Sequence, residues 1–421
     1  MTDAVPRVLL LVDGPVVAEN AGEVFLRSLF LHYPQGHACR LALMRSAPST
    51  PPANWIGFPL AVEKRVWERR LSRLGQSASR AASMALSLYS RSVRTGEVVD
   101  HGTAFGRSHG VDRVMAVLNS PAVIYSASRV ACALRVPLST LVWDPPERLA
   151  VELLMDRYST ARLSDDFEHA LEASTAVAVA SQGMREAYAA QYGVDAKVMI
   201  QGIPAHWRGE PSVQQSDRDS FVIGFAGSAY ASAEFSALLG ALSAARWEIA
   251  GRKVVLRVLG RGTGLDFRGA VNIELLGWRG PADTVEQLRA TDVCYVPYWM
   301  DRDHALAVEL CFPNKISSYL AAAKPLFVHA PEKSSPARFV KRYGLGVVCS
   351  SLDHNAIRSD LERLLLDPKL VETLDEASRR ATDEELSMDV FLDRFARLVG
   401  TDRRLLRAPA PAAFDEMMRN A

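Results

Sequence analysis

Paired cysteines are missing from this 421-residue chain: its five, Cys39, Cys132, Cys294, Cys311 and Cys349, are odd in number, scattered and never spaced Cys-x-x-Cys. That argues against a disulfide frame and a structural zinc site, and points to a reducing compartment. The nine histidines form no His-x-x-x-His and no His-Glu-x-x-His, so no metal or other cofactor is expected. Charge of one sign is lacking too. With 49 Lys+Arg against 48 Asp+Glu, the formal net charge of +1 gives no bulk attraction to nucleic acid. No window holds the roughly eighteen consecutive apolar residues a spanning helix needs. The opening MTDAVPRVLLLVDG reaches Asp13 and Gly14 too soon to be a secretion signal. A cytoplasmic protein is expected.

What is present is the balance of a globular chain, 48% hydrophobic and 23% charged with 26 Gly and 22 Pro, at a length beyond one core. Short apolar runs bounded by turn residues, at Arg7–Val12, Arg113–Val117, Leu138–Val142 and Ala176–Ala180, predict strands covered on both faces. Helices fall between them. Ser120-Pro121 caps one that runs to about Leu134, and Ser181 opens another that Gly193 closes. After a polar, turn-rich stretch the pattern restarts at Phe221–Ala226, Lys253–Leu259, Ile273–Leu276, Val293–Pro297 and Pro325–His329. The reading is α/β: two Rossmann-like, doubly wound domains facing a cleft, over 1–203 and 221–385, with a linker at 204–220 and a C-terminal helix and tail at 386–421. Met388, Phe391, Phe395 and Leu398 give that helix its apolar face, and the Pro/Ala-rich tail from Ala408 is expected to be mobile in part.

Ligands of open parallel sheets bind at the carboxyl ends of the strands, so the loops there carry the chemistry. In AVELCFPNKISSYLAAAKPLFVHAP, Pro313 presets a helix entrance and leaves the amides of Asn314, Lys315 and Ile316 to face an anion, together with the Lys315 ammonium. An isolated Pro-Asn-Lys equally fits a capped surface helix. Three more loops join it: Gly227 and Ser228 in FAGSAY, Arg261 in LGRGTG, and Trp278 with Arg279 in LLGWRG. Three cations, one aromatic plane and a helix start suit a diphosphate joined to a planar base.

The succession FxGS, LGxG, LGWR, DVxYxP and FPNKxxxYLAAAKP resembles the donor-binding half of the retaining family-4 glycosyltransferases, which have the GT-B fold. The resemblance implies an enzyme that moves a sugar from a nucleotide-diphosphate donor to a hydroxyl of a glycan or lipid-linked glycan, in bacterial surface polysaccharide synthesis. Within it, Gly227 and the Asn314–Ser317 turn approach the diphosphate, Trp278-Arg279 lies beside the base and Glu309 touches the sugar. Ser318 stands where the family has a second glutamate on the ribose, and Glu309 lies one residue further upstream than usual. The family's Arg and Lys after the first glycine loop are absent from GSAYASAEFSALLG, which leaves Arg261, Arg279 and Lys315 as replacements. On the acceptor side the matching residues are Gly22, Trp143 and Asp144; Asp144 either orients the acceptor hydroxyl or simply forms a turn before two prolines. In the family mechanism the departing phosphate takes the proton, so no protein base is obligatory.

Asp301-Arg302-Asp303 has the spacing of a manganese site in another glycosyltransferase fold, but it comes too late in the chain for that role. Residues 63–94 are basic and amphipathic, fitting either peripheral contact with anionic lipid or a solvated face packed on the first domain. A nucleotide-sugar epimerase or phosphorylase, and a catalytically silent nucleotide-sugar-binding subunit, are the competing readings.

Overall fold

The computed structural model describes residues 4–14, 20–44, 54–65, 76–209, 219–260, 267 and 271–419. The chain divides into two compact units, one containing Met1–Met199 with Leu392–Met417, the other Ile200–Phe391 with Met418–Asn420. Of the stretch expected as a linker, residues 210–218 lie outside the described residues.

The first unit holds strands β1 (Val8–Asp13), β2 (Ala38–Met44), β3 (Asn54–Trp55), β4 (Phe58–Lys64), β5 (Arg113–Val117), β6 (Leu138–Val142), β7 (Ser174–Val179) and β8 (Lys197–Val198). They form one sheet in the order β3-β4-β2-β1-β5-β6-β7-β8, parallel except for the β3–β4 hairpin. Its helices are α1 (Ala21–Phe30), α2 (Gln76–Tyr89), α3 (Thr95–Ser108), α4 (Pro121–Leu134), α5 (Pro146–Glu152), α6 (Arg157–Glu172) and α7 (Gln182–Tyr192). Apolar residues fill the central strands because both faces are covered: every residue of β6 is buried, and β1 is buried up to Asp13. Ser120 and Ser181 cap α4 and α7 through their hydroxyls, and Gly193 closes α7 in the left-handed region.

In the second unit β9 (Ser220–Ala226), β10 (Glu248–Ile249), β11 (Arg252–Leu259), β12 (Ile273–Gly277), β13 (Val293–Pro297), β14 (Leu326–His329) and β15 (Gly346–Cys349) form the sheet β10-β11-β9-β13-β14-β15. β12 pairs with β11, and all but the β10–β11 pair are parallel. Helices α8 (Ser232–Ala244), α9 (Pro281–Arg289), α10 (Ala305–Leu310) and α11 (Lys315–Ala321) follow β9, β12 and β13. The core joins Phe221, Ile223 and Phe225 of β9 to Phe235 and Leu238 of α8. Each such side chain stabilises by about 1.5–3 kcal/mol on burial.

The C-terminal tail differs from expectation. Pro411–Arg419 is a helix whose Phe414 is buried, with its ring centroid 5.7 Å from that of His32. Burial of one aromatic anchors a segment whose composition alone reads as mobile. Phe395 packs edge-on against Phe30 of the same unit at 5.4 Å.

Candidate active site

The start of α11 is tighter than the sequence suggests. Ile316 donates its amide to the Pro313 carbonyl and Ser317 donates to that of Asn314, both at 3.1 Å, and the Ser317 hydroxyl donates to the Gln201 carbonyl at 2.8 Å. Three expected outward amides therefore narrow to those of Asn314 and Lys315; Ile316 is fully buried, and Ser317 spends both its donors within the unit.

Lys315 is also turned differently. Its Nζ is shielded from solvent, although the residue as a whole is half-buried, and it has no hydrogen-bond partner among the described residues. It lies 4.3 Å from the ring centroid of Phe225 and 4.9 Å from that of Tyr230. Aromatic faces attract a cation but replace water incompletely. Burial accordingly pulls the ammonium pKa down to about 7. The stem runs beside Gly227, where an added Cβ would stand 3.7 Å from its Cε. Gly227 itself has φ +104°, so a side chain there would be strained before any contact was made.

Three strand ends meet at this point. Gly227 donates to the Leu259 carbonyl at 2.9 Å, and Gly260 donates to that of Gly277 at 2.8 Å. A Cβ on Gly260 would fall 2.6 Å from the Gly227 carbonyl oxygen, so only glycine lets these two loops lie together. Ser228, Trp278 and Arg279 are exposed on the same succession of loops, with Arg279 donating to the Trp278 carbonyl at 3.2 Å. Arg261 lies outside the described residues.

Tyr319 secures the arrangement. Its hydroxyl accepts the Ala226 amide at 2.8 Å and donates to the Tyr295 carbonyl at 3.1 Å, tying α11 to the end of β9 and the middle of β13 and so placing Lys315, one turn earlier, beside Gly227. Glu309 is half-buried in the last turn of α10; Arg338 holds its backbone carbonyl at 2.8 Å, and its carboxylate has no partner among the described residues. Ser318 is half-buried. Asp301 is closed into a turn, accepting the His304 amide at 3.0 Å and the His304 ring at 2.7 Å.

Residues the sequence did not single out complete the site. Tyr230 covers Lys315, and its carbonyl accepts the Trp299 indole at 3.1 Å. Buried Glu234 accepts the Met300 amide at 2.7 Å, fixing the loop after β13. The aromatic run in FAGSAY and PYWMDRDH was the available signal.

In the first unit, Gly22 and Trp143 are brought together: a Cβ on Gly22 would meet the Trp143 ring at 2.8 Å, and that ring packs edge-on to Phe25 at 5.5 Å. Asp144 forms an ion pair with Arg148, one turn along α5, so its carboxylate is already engaged. Within the basic stretch, residues 66–75 lie outside the described residues. Arg65, Arg91 and Arg94 pair with Asp13, Asp166 and Glu97. Met84, Leu88, Tyr89 and Val93 are exposed. Among the described residues no helix is long and apolar enough to cross a membrane.

No family profile and no curated protein sequence matches the chain. Its fold is nevertheless similar to that of solved structures of the GT-B class. One is Anabaena Alr3699/HepE in complex with UDP and glucose, at 15% identity and a TM-score of 0.61 over 94% of this chain and 100% of that one. Another is the lipopolysaccharide outer core galactosyltransferase WaaB, at 12% identity and 0.60 over 93% and 99%. The N-terminal domain of Candida albicans trehalose-6-phosphate phosphatase is also similar, at 9% and 0.61 over 94% and 97%. Identities this low establish the architecture, and activity must be argued from the site.

Proposed function

We propose that the chain is a glycosyltransferase that moves a sugar, with retention, from a nucleotide-diphosphate donor to a hydroxyl of a glycan or lipid-linked glycan. The observation that carries this reading is the shielded Lys315 ammonium, without a hydrogen-bond partner among the described residues, beside the Gly227 loop. A buried cation is costly unless something anionic completes it, and a diphosphate supplies that charge. Gly227 admits the phosphates to the backbone, Asn314 and Lys315 add their amides, and Arg261 and Arg279 add charge. Trp278 lies beside the base, Ser318 gives the ribose one hydrogen bond, and Glu309 orients the sugar hydroxyls.

In the transfer, the bond from the anomeric carbon to the phosphate oxygen breaks as the bond to the acceptor oxygen forms. The acceptor proton passes to the departing phosphate, and nucleoside diphosphate leaves. Lys315 stabilises charge developing on that leaving oxygen, the task a metal performs in other folds, so turnover is expected to survive a chelator. Trp143 and Asp144 flank the acceptor. The HepE complex with UDP and glucose, and the activity named for WaaB, agree with this reading.

Calorimetry with UDP, GDP and dTDP tests it. One nucleotide should bind, and Glu309→Gln should retain that binding while transferring sugar at a much lower kcat. Failure of every nucleotide to bind would sink the proposal. The silent-subunit reading draws on Ser318, which replaces a carboxylate clamp; nucleotide binding with no sugar release in the presence of acceptors would favour it.

A further inference from the structure

The helical run from α2 into α3 turns one face to the core of the first unit, where Ser83, Ser90, Thr95 and Val98 are buried, and leaves the opposite face open. Between residues 81 and 96 that open face consists of two rows. Met84, Leu88, Ser92 and Gly96 form one, and Ala81, Ala85, Tyr89 and Val93 the other; all eight are exposed and none is charged. Leu88 is 42% exposed, Tyr89 47% and Val93 48%. Surface helices of soluble proteins ordinarily place charged and polar residues on such a face.

The rows stay together because the helix is irregular. A regular α-helix advances about 100° per residue, so a row spaced every four residues drifts by about 40° per step and would spiral away within three steps. Here a π-turn intervenes at Ser90–Arg94, in which Thr95 donates its amide and, at 2.9 Å, its hydroxyl to the Ser90 carbonyl. The extra residue in that turn takes up most of the drift. Both rows therefore run along the helix axis and remain exposed to their ends.

Charge and side-chain size point to the occupant. The strip carries no charge, and the half-buried arginines flanking it, Arg91 and Arg94, are already paired with Asp166 and Glu97. An anionic lipid surface is bound through free basic side chains beside an apolar strip, and these two are engaged. A second copy of the chain matches better. In a two-fold antiparallel pair every contact occurs twice, once in each direction. With the axis passing between Leu88 and Tyr89, each row meets the other row of the second copy: Leu88 faces Tyr89, Met84 faces Val93, Ser92 faces Ala85 and Gly96 faces Ala81. Large side chains meet large and small meet small, so the small pairs let the backbones approach while the large pairs fill the seam.

We propose that this face is a self-association surface, through which two copies of the chain pair by antiparallel α2–α3 helices about a two-fold axis. Its footprint, about 22 Å long and one helix of about 10 Å wide, is small beside the roughly 800 Å² per partner of a stable interface, so the dimer is a reversible one. The inference uses nothing of the donor site and stands or falls apart from the transferase reading.

Sedimentation equilibrium of the full chain, from about 1 to about 200 µM, tests it: a monomer–dimer equilibrium with a dissociation constant on the order of 10 µM is expected. Leu88→Glu and, separately, Val93→Glu should each weaken it about tenfold or more, since each places a charge twice in an apolar contact. Both positions are exposed in the monomer, so neither substitution removes core packing. Disulfide trapping reads the register in a Cys132→Ser background, because Cys132 is exposed and the other four cysteines are buried. Met84→Cys chains mixed with Val93→Cys chains should cross-link on mild oxidation. Met84→Cys alone should not, since its two copies would lie about 13 Å apart along the axis, beyond the roughly 7 Å a disulfide spans. A chain that stays monomeric throughout, a dimer that neither glutamate weakens, or Met84→Cys cross-linking with itself as fast as the mixture does overturns the proposal. Flotation with phosphatidylcholine–phosphatidylglycerol vesicles addresses the other occupant: binding that Leu88→Glu abolishes, by a chain that does not dimerise, would assign the face to lipid and overturn the proposal as well.

Discussion

Each unit buries a cation against aromatic rings, and the two are treated oppositely. In the first, Arg40 is 1% exposed, 4.7 Å from the Trp55 ring centroid, and donates to Glu23 at 2.7 Å; Glu23 also accepts from Arg27 at 3.0 Å and from the Trp55 indole. In the second, Lys315 has the rings of Phe225 and Tyr230 and, among the described residues, no carboxylate partner. Burial lowers the pKa of both cations, but at Arg40 the Glu23 carboxylate opposes it. A charge whose role is structural is completed by the fold, and a charge awaiting a ligand is left for the ligand to complete.

The sharpest way to break that contrast is to remove the completing group. Glu23→Gln takes the carboxylate away from the buried Arg40 guanidinium and should cost about 3–5 kcal/mol in urea unfolding. Lys315→Met removes a charge that has no hydrogen-bond partner among the described residues, and should leave stability unchanged or raise it. If Lys315→Met destabilised as strongly as Glu23→Gln, the ammonium would be a structural element and the donor site would lose its centre.

Next in size is the effect on ligand. Nucleoside diphosphate affinity should fall about a hundredfold in Lys315→Met, the scale of a desolvated charge pair losing one member. Glu23→Gln should leave that affinity within a few-fold, measured below its unfolding temperature.

The parts of this contrast were unequally legible in the sequence. Strands such as β5, β6 and β13 could be read to the residue because continuous apolar runs between turn residues mean strands covered on both faces. β2 and β4 could not: Arg40 interrupts ACRLALM, and FPLAVEK begins beside a proline, ends in charges and is mostly half-buried. Glu23 compensates Arg40 from 17 residues away, and no local pattern announces that. The glycines and Lys315 were legible as strand-end loops. The inward turn of the lysine was not, since it depends on Tyr230, 85 residues earlier, and on Tyr319 holding α11 against β9. The π-turn was invisible for the same reason, its cause being the tertiary setting.

The pH dependence sharpens the comparison further. An unfolded lysine titrates near 10.4, and Lys315 in the fold near 7, so between these values the unfolded chain binds a proton that the folded one lacks. Stability of the ligand-free protein should therefore rise with pH across that window, with the cost of the buried charge fully present below about pH 7. A bound diphosphate raises the pKa again, so binding takes up a proton and affinity should fall by at most about tenfold per pH unit above about 7. Proton uptake shows in calorimetry as an apparent enthalpy that varies with the ionisation enthalpy of the buffer, and Lys315→Met should abolish the variation.

The smallest effect belongs to Asp144, whose pairing resembles that of Arg40 in form but not in burial. Its side chain is 25% exposed and that of Arg148 is 28%, and they are spaced i,i+4 across the start of α5. Such a pair contributes within about 1 kcal/mol, so Asp144→Asn should barely move the urea midpoint. Its value lies in kinetics. If the departing phosphate takes the acceptor proton, Asp144→Asn should raise the acceptor KM and leave the pH profile of kcat in place. A kcat that collapsed and lost its acid limb would make Asp144 a proton acceptor.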